Sequence, residues 1–153
     1  METNEKRLII GIAIFVSVII LISVFVLLKN MDNIRDLSEL NPIIERYFVE
    51  YKSERGFGND RFDIYSFELK KNSEINLFKS IDAEFKDEYN YFETMVENIV
   101  VKEDSGNTNI RIKIKKYISD ESTKYLSVDL GDAKKLYIYN EEMNKGYCLI
   151  LTI

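Results

Sequence analysis

The sequence predicts an α+β protein in which an N-terminal transmembrane helix precedes helices packed on a curved antiparallel β-sheet. Three observations carry that expectation. Residues 8–28 run for 21 positions without a charge, between Lys6-Arg7 and Lys29. Apolar residues then recur at helical spacing through 34–51 and again through 75–92. From Met95 onwards the period drops to two, and turn residues interrupt it at short intervals.

The uncharged run comes first. As a helix it would rise about 31 Å, enough to cross the hydrocarbon core of a bilayer. It is longer than the roughly 7–15 apolar residues of a cleavable signal, and Val26-Leu27-Leu28-Lys29-Asn30 offers no small-residue pair for cleavage. The only cysteine, Cys148, lies far from the run, so no lipid attachment is expected there. The compact basic tail at Lys6-Arg7 abuts the run directly and places the amino terminus inside. The expected organisation is a short cytoplasmic tail over 1–7 and a transmembrane anchor over 8–28 embedded in the lipid bilayer. A juxtamembrane helical connector over 29–41 and an extracytoplasmic α+β domain over 42–153 follow.

Beyond the anchor, Ile34, Leu37, Leu40, Ile44, Phe48 and Tyr51 keep helical spacing, interrupted by Asn41-Pro42. Asn suits a helix cap and Pro the first turn, so a helix is expected from Pro42 to about Arg55, stopping at Gly56. A strand follows over 62–69, and Lys70-Lys71-Asn72-Ser73 turns the chain. Ile75, Phe78, Ile81, Phe85, Tyr89 and Phe92 predict a second helix with an aromatic face; a start only near Ser80 is the alternative. Strands are then expected at 96–103, 110–115, 125–130, 135–139 and 147–153. Ile110, Ile112 and Ile114, alternating with Arg111, Lys113 and Lys115, make the clearest two-residue period of the chain. Short turns between strands imply an antiparallel meander, since parallel neighbours need long crossovers.

Composition narrows the function. Setting aside Glu2, Glu5, Lys6, Arg7 and Lys29 leaves 18 basic and 24 acidic residues, a net charge of −6. Nucleic acid is therefore not an expected partner, because its binders carry a basic footprint. Histidine is absent, which removes Ser–His and Cys–His nucleophiles and zinc sites of the imidazole type. Cys148, between Tyr147 and Leu149, reads as a core residue. Asp60 and Asp63 flank Arg61, and Asp82, Glu84, Asp87 and Glu88 cluster on the second helix. Paired carboxylates could serve glycoside hydrolysis across a cleft, although a charged cluster opposite an aromatic face reads as solvated surface. No cofactor, metal or catalytic site is expected, and the protein is not expected to be an enzyme.

Two groups of residues remain as interaction candidates. The segment Gly56-Phe57-Gly58-Asn59-Asp60-Arg61-Phe62-Asp63 is dense in turn residues, and Phe57, Asp60 and Arg61 could form a recognition loop. The competing reading is a tight turn with Phe57 plugged into the core. Arg111, Lys113 and Lys115 would line one strand face, open to anionic wall polymer or lipid headgroups. The competing reading there is an ordinary solvated sheet face.

A basic tail at Lys6-Arg7, one span over 8–28, a helix and then a bent sheet preceded by helices resemble the extracytoplasmic NTF2-like domains of VirB8-type conjugation and secretion proteins. That resemblance implies an NTF2/cystatin-like sheet and a scaffolding role among other envelope proteins. Lys6-Arg7 before Gly11 also resembles a type IV prepilin leader, but Val16 stands where that family carries Glu. A pilin-like subunit, a self-standing immunity or sensing protein and a small carboxylate-dependent envelope hydrolase are the alternatives.

Overall fold

In a computed structural model, residues 12, 14–25, 35–54, 60–99 and 108–152 are described. The chain divides into two compact units, Met1–Asn41 and Pro42–Ile153. In the first unit, residues 14–25 are helical and Ser38–Leu40 form a 3-10 turn closed by Leu40 N–H donating to the Leu37 carbonyl at 3.1 Å. Among the described residues no helix is long and apolar enough to cross a membrane. The remainder of the expected span over 8–28 lies outside them.

The second unit is α+β. Its elements, in chain order, are β1 (Ile44–Lys52), β2 (Arg61–Leu69), β3 (Lys79–Ser80), α1 (Ala83–Glu97), α2 (Thr108–Ile118), β4 (Thr123–Asp129), β5 (Ala133–Asn140) and β6 (Lys145–Thr152). The six strands form one sheet in the order β1-β2-β6-β5-β4-β3, and every neighbouring pair is antiparallel. The expected meander is present only as β4-β5-β6. The sheet then continues from β6 to β2, so the early β1–β2 hairpin is laid beside the late meander.

One face of the sheet carries Phe62, Ile64, Tyr125, Leu136, Ile138, Tyr147 and Leu149 into the core beneath the two helices. α1 meets it with Phe85, Tyr89, Phe92 and Val96, a stripe at helical spacing. α2 adds Ile110, Ile114 and Tyr117. Aromatic edges lock the layers: Phe85 lies 5.1 Å from Tyr125 and Tyr117 5.0 Å from Tyr147, both T-shaped. The Tyr89 hydroxyl is buried without a hydrogen-bond partner among the described residues, and burial beside Glu93 and Glu97 pushes its pKa up to about 12. The opposite face is buried too, through Tyr65, Phe67, Tyr137, Cys148 and Ile150. Cys148 is fully buried, as its place in an apolar strand implies.

Several expected elements are corrected. The helix expected from Pro42 to Arg55 is a turn at 41–43 followed by strand β1. Its sequence, Ile-Glu-Arg-Tyr-Phe-Val-Glu-Tyr-Lys, is rich in β-branched and aromatic residues, and the ladder to β2 overrides the helical spacing. The strand expected over 110–115 is instead α2. There Ile110, Ile114 and Tyr117 are buried at steps of four and three, while Ile112 is 64% exposed. The second helix begins not at Ile75 but at Ala83. Asp82 caps it, its side chain accepting from the Phe85 N–H at 2.9 Å, which places the start near the later alternative. α1 also runs through Val96 and Glu97, where a strand was expected to begin; 100–103 lie outside the described residues. Strands β2, β4, β5 and β6 fall where the two-residue period and the turns place them.

Candidate functional site

Among the described residues, those singled out from sequence do not converge on one site. Phe57 lies outside the described residues, so the recognition-loop reading is traced only through its neighbours. Asp60 is exposed just before β2. Arg61 opens β2 and is drawn into the sheet, where its Nε donates to Thr152 Oγ1 at 3.3 Å and a terminal nitrogen pairs with buried Asp63 at 3.3 Å. Arg61 faces Thr152 across the β2–β6 ladder. Its head therefore ties two strands together.

The basic strand face is also corrected. On a helix, successive residues turn by about 100°, so Arg111 and Lys115 share a side and Lys113 points away from them. Both residues on that shared side bind Glu97 of α1: Arg111 by a short ion pair, Lys115 at 2.5 Å. These pairs clamp the end of α1 to α2. The hydrogen bonds from Lys115 and Arg111 hold the Glu97 carboxyl below its ordinary range. A depressed folded-state pKa contributes stability above the unfolded value, about 4.3, that is lost as pH falls through the folded value. Asp82, Asp120 and Asp129 are depressed as well, chiefly by the Phe85 N–H, the Ser122 hydroxyl and Lys134 respectively. The thermal midpoint is therefore expected to fall mainly below about pH 4. Glu97→Gln should flatten part of that fall, and an unchanged midpoint-against-pH curve would contradict the clamp.

Asp82, Glu84 and Glu88 of the acidic cluster each have a structural partner. The Tyr125 hydroxyl donates to Asp82 Oδ1 at 3.0 Å and lies 3.4 Å from Glu84 Oε2, but Asp82 is the helix cap and Glu84 pairs with Lys79 at 3.2 Å. Glu88 accepts from the Ser127 hydroxyl at 2.9 Å, pinning α1 to β4. Among the described residues no group of three His, Cys, Asp or Glu side chains could hold a metal ion. An open cleft of about 380 Å³ lies between the turn after β2 and the turn joining β5 to β6. Two of its polar groups serve those turns: Tyr139 donates to Asn144 Oδ1, and Asn144 Nδ2 to the Leu69 carbonyl, each at 2.9 Å. Asn72 and Asn144 both take left-handed backbone angles in this region, which asparagine tolerates in turns.

What remains is the edge formed by β1, which the helical reading of 42–55 concealed. β1 has nine residues, none of them buried, and among the described residues it pairs only with β2. Phe48 is 54% and Val49 43% exposed, adjacent along the strand and therefore on opposite faces of the sheet. Charges surround them. Arg46 pairs with Glu68 at 2.5 Å, and Glu50 accepts from the Ser66 hydroxyl at 2.5 Å. Register shifts interrupt the ladder around Glu45 and Glu50, leaving Arg46–Val49 as the regular stretch between them. Most edge strands are short or covered; this one is long and carries two exposed apolar side chains.

Comparison with protein-family models, with curated proteins and with solved structures returned no match.

Proposed function

We propose that this chain is a single-pass protein of the bacterial cell membrane whose extracytoplasmic α+β domain is an interaction or scaffold module, working with other envelope proteins in a secretion or conjugation assembly. The observation that carries the anchor is the helical stretch 14–25. Every large apolar side chain on it is between 46% and 69% exposed. A continuous apolar surface in water is unfavourable by about 25 cal/mol per Å², and a bilayer removes that penalty. In sequence, Lys6-Arg7 and Lys29 bracket the apolar run, the pattern that charges at headgroup level make around a membrane anchor. The open β1 edge supports the interaction role, since a sheet edge takes an additional strand through backbone hydrogen bonds while side-chain pairing sets the choice of partner.

Fractionation of bacteria expressing the full chain tests this reading. It should stay in the membrane pellet through alkaline carbonate and need detergent for release. Protease added to spheroplasts should digest a carboxy-terminal tag and spare an amino-terminal one. Release without detergent would overturn the anchor, and the opposite protection pattern would overturn the orientation.

A further inference from the structure

We infer that the strand which docks on the β1 edge is the β1 strand of a second copy of this chain, paired antiparallel about Phe48. The inference rests on the interaction reading above and names its partner. Two identical strands joined by a two-fold axis perpendicular to the sheet must place one residue opposite itself. The sequence of β1 then decides which residue that is. Centring on Arg46 sets Arg46 against Arg46, and centring on Glu45 or Glu50 sets two glutamates face to face. A centre on Val49 puts Arg46 opposite Lys52, again like against like. Centring on Tyr47 brings no charges together. A centre on Tyr51 matches Glu50 with Lys52 but pairs only the end of the strand. Among centres in the regular stretch Arg46–Val49, Phe48 alone sets opposite charges against each other: Arg46 faces Glu50 of the second copy, at the shift that ends the stretch, and Glu50 faces its Arg46.

The same register stacks the two exposed Phe48 rings and sets Tyr47 opposite Val49 on both sides of the axis. Arg46 keeps Glu68 as its partner within the sheet, so the added contact extends an ion pair that is already formed. Register shifts in the ladder to β2, between Ile44 and Arg46 and between Val49 and Tyr51, bracket the proposed centre at Phe48. An edge so interrupted and charged resists arbitrary strands and admits one whose charges match. Two copies held in the same membrane also meet at a high effective concentration, so a short interface suffices.

The test uses the full chain in native membranes with Phe48→Cys; Cys148 is fully buried and provides the background. Mild oxidation should give a disulfide-linked species of twice the chain's mass, absent from the unsubstituted chain. In this background, Arg46→Glu or Glu50→Lys alone sets like charges opposite each other twice and should lower dimer yield by about tenfold. Co-expressed, the two variants restore both opposite-charge pairs. The glutamate introduced in one copy faces the lysine introduced in the other, and the unaltered Glu50 of the first faces the unaltered Arg46 of the second. The yield should then recover as a mixed dimer. That recovery also excludes misfolding as the cause of the single-variant losses. Undiminished dimer in either single variant, or no recovery on co-expression, would overturn the register. Cross-linking of Phe48→Cys only to chains of other mass would overturn self-pairing and leave the edge as a docking surface. No cross-link of any kind would remove both.

Discussion

Truncation of Ile114 to Ala is expected to cost about 2–5 kcal/mol of stability, while the same change at Ile112 should stay within about 0.5 kcal/mol. Ile114 is fully buried in the cluster between helices and sheet, whereas Ile112, two residues earlier, is 64% exposed. A strand would treat the two alike, because residues two apart share a face. A helix turns them about 200° apart, one to the core and one to water. Denaturant melts of the two variants therefore read the secondary structure of this segment directly. Equal losses would restore a strand here and break up the clamp of Glu97 on Arg111 and Lys115.

That segment shows why the sequence misleads at this point. Three isoleucines at alternate positions satisfy a two-residue period, yet the outer two are also four apart, and Tyr117 follows three later. The pattern is compatible with both periods, and contact with the core on one side selects the helix. The mirror-image error affects β1. Ile44, Phe48 and Tyr51 are spaced as on a helix, and Asn41-Pro42 resembles a helix start, but Tyr47 and Val49 are equally apolar, and pairing with β2 makes use of both sides. Since the candidate interaction edge is this very strand, the site was hidden along with the element. The readable signal was composition, with aromatic and β-branched residues at five of nine positions of the strand.

Where turn chemistry and periodicity agree, the reading is sound. Gly131-Asp132 closes β4 onto β5 with Gly131 at a positive φ of 86°, and Leu130 N–H donates to the Ala133 carbonyl at 2.8 Å. The α+β class and the antiparallel pairing follow from the same cues. Long-range strand order does not, because nothing local in β6 states that its second neighbour is β2, a strand that precedes both helices and the rest of the meander.

Gly146→Ala is the second change with a large expected effect, a loss of about 3 kcal/mol and a fall in melting temperature of about 10 °C. A glycine here looks from sequence like the end of a loop, but Gly146 lies inside β6, opposite Phe67 on one side and Tyr139 on the other. The Phe67 ring crosses directly above it and stacks on Tyr139, their planes 13° apart and centroids 6.1 Å apart. A methyl group at Gly146 would meet Phe67 Cε1 at 2.8 Å, come closer still to Cζ, and approach the Ile138 carbonyl oxygen at 2.7 Å. The ring could swing away by giving up the stack, but the carbonyl belongs to the β5 ladder and cannot move without disturbing it. Only glycine leaves room for an aromatic ring to bridge two strands over the one between them. Adding Phe67→Leu to Gly146→Ala should recover part of the loss by freeing the ring's space, and the carbonyl contact should keep the recovery incomplete. A Gly146→Ala chain that melts within about 2 °C of the unaltered protein would mean that Phe67 does not lie over this glycine, and with it the aromatic bridge from β2 to β5 would go.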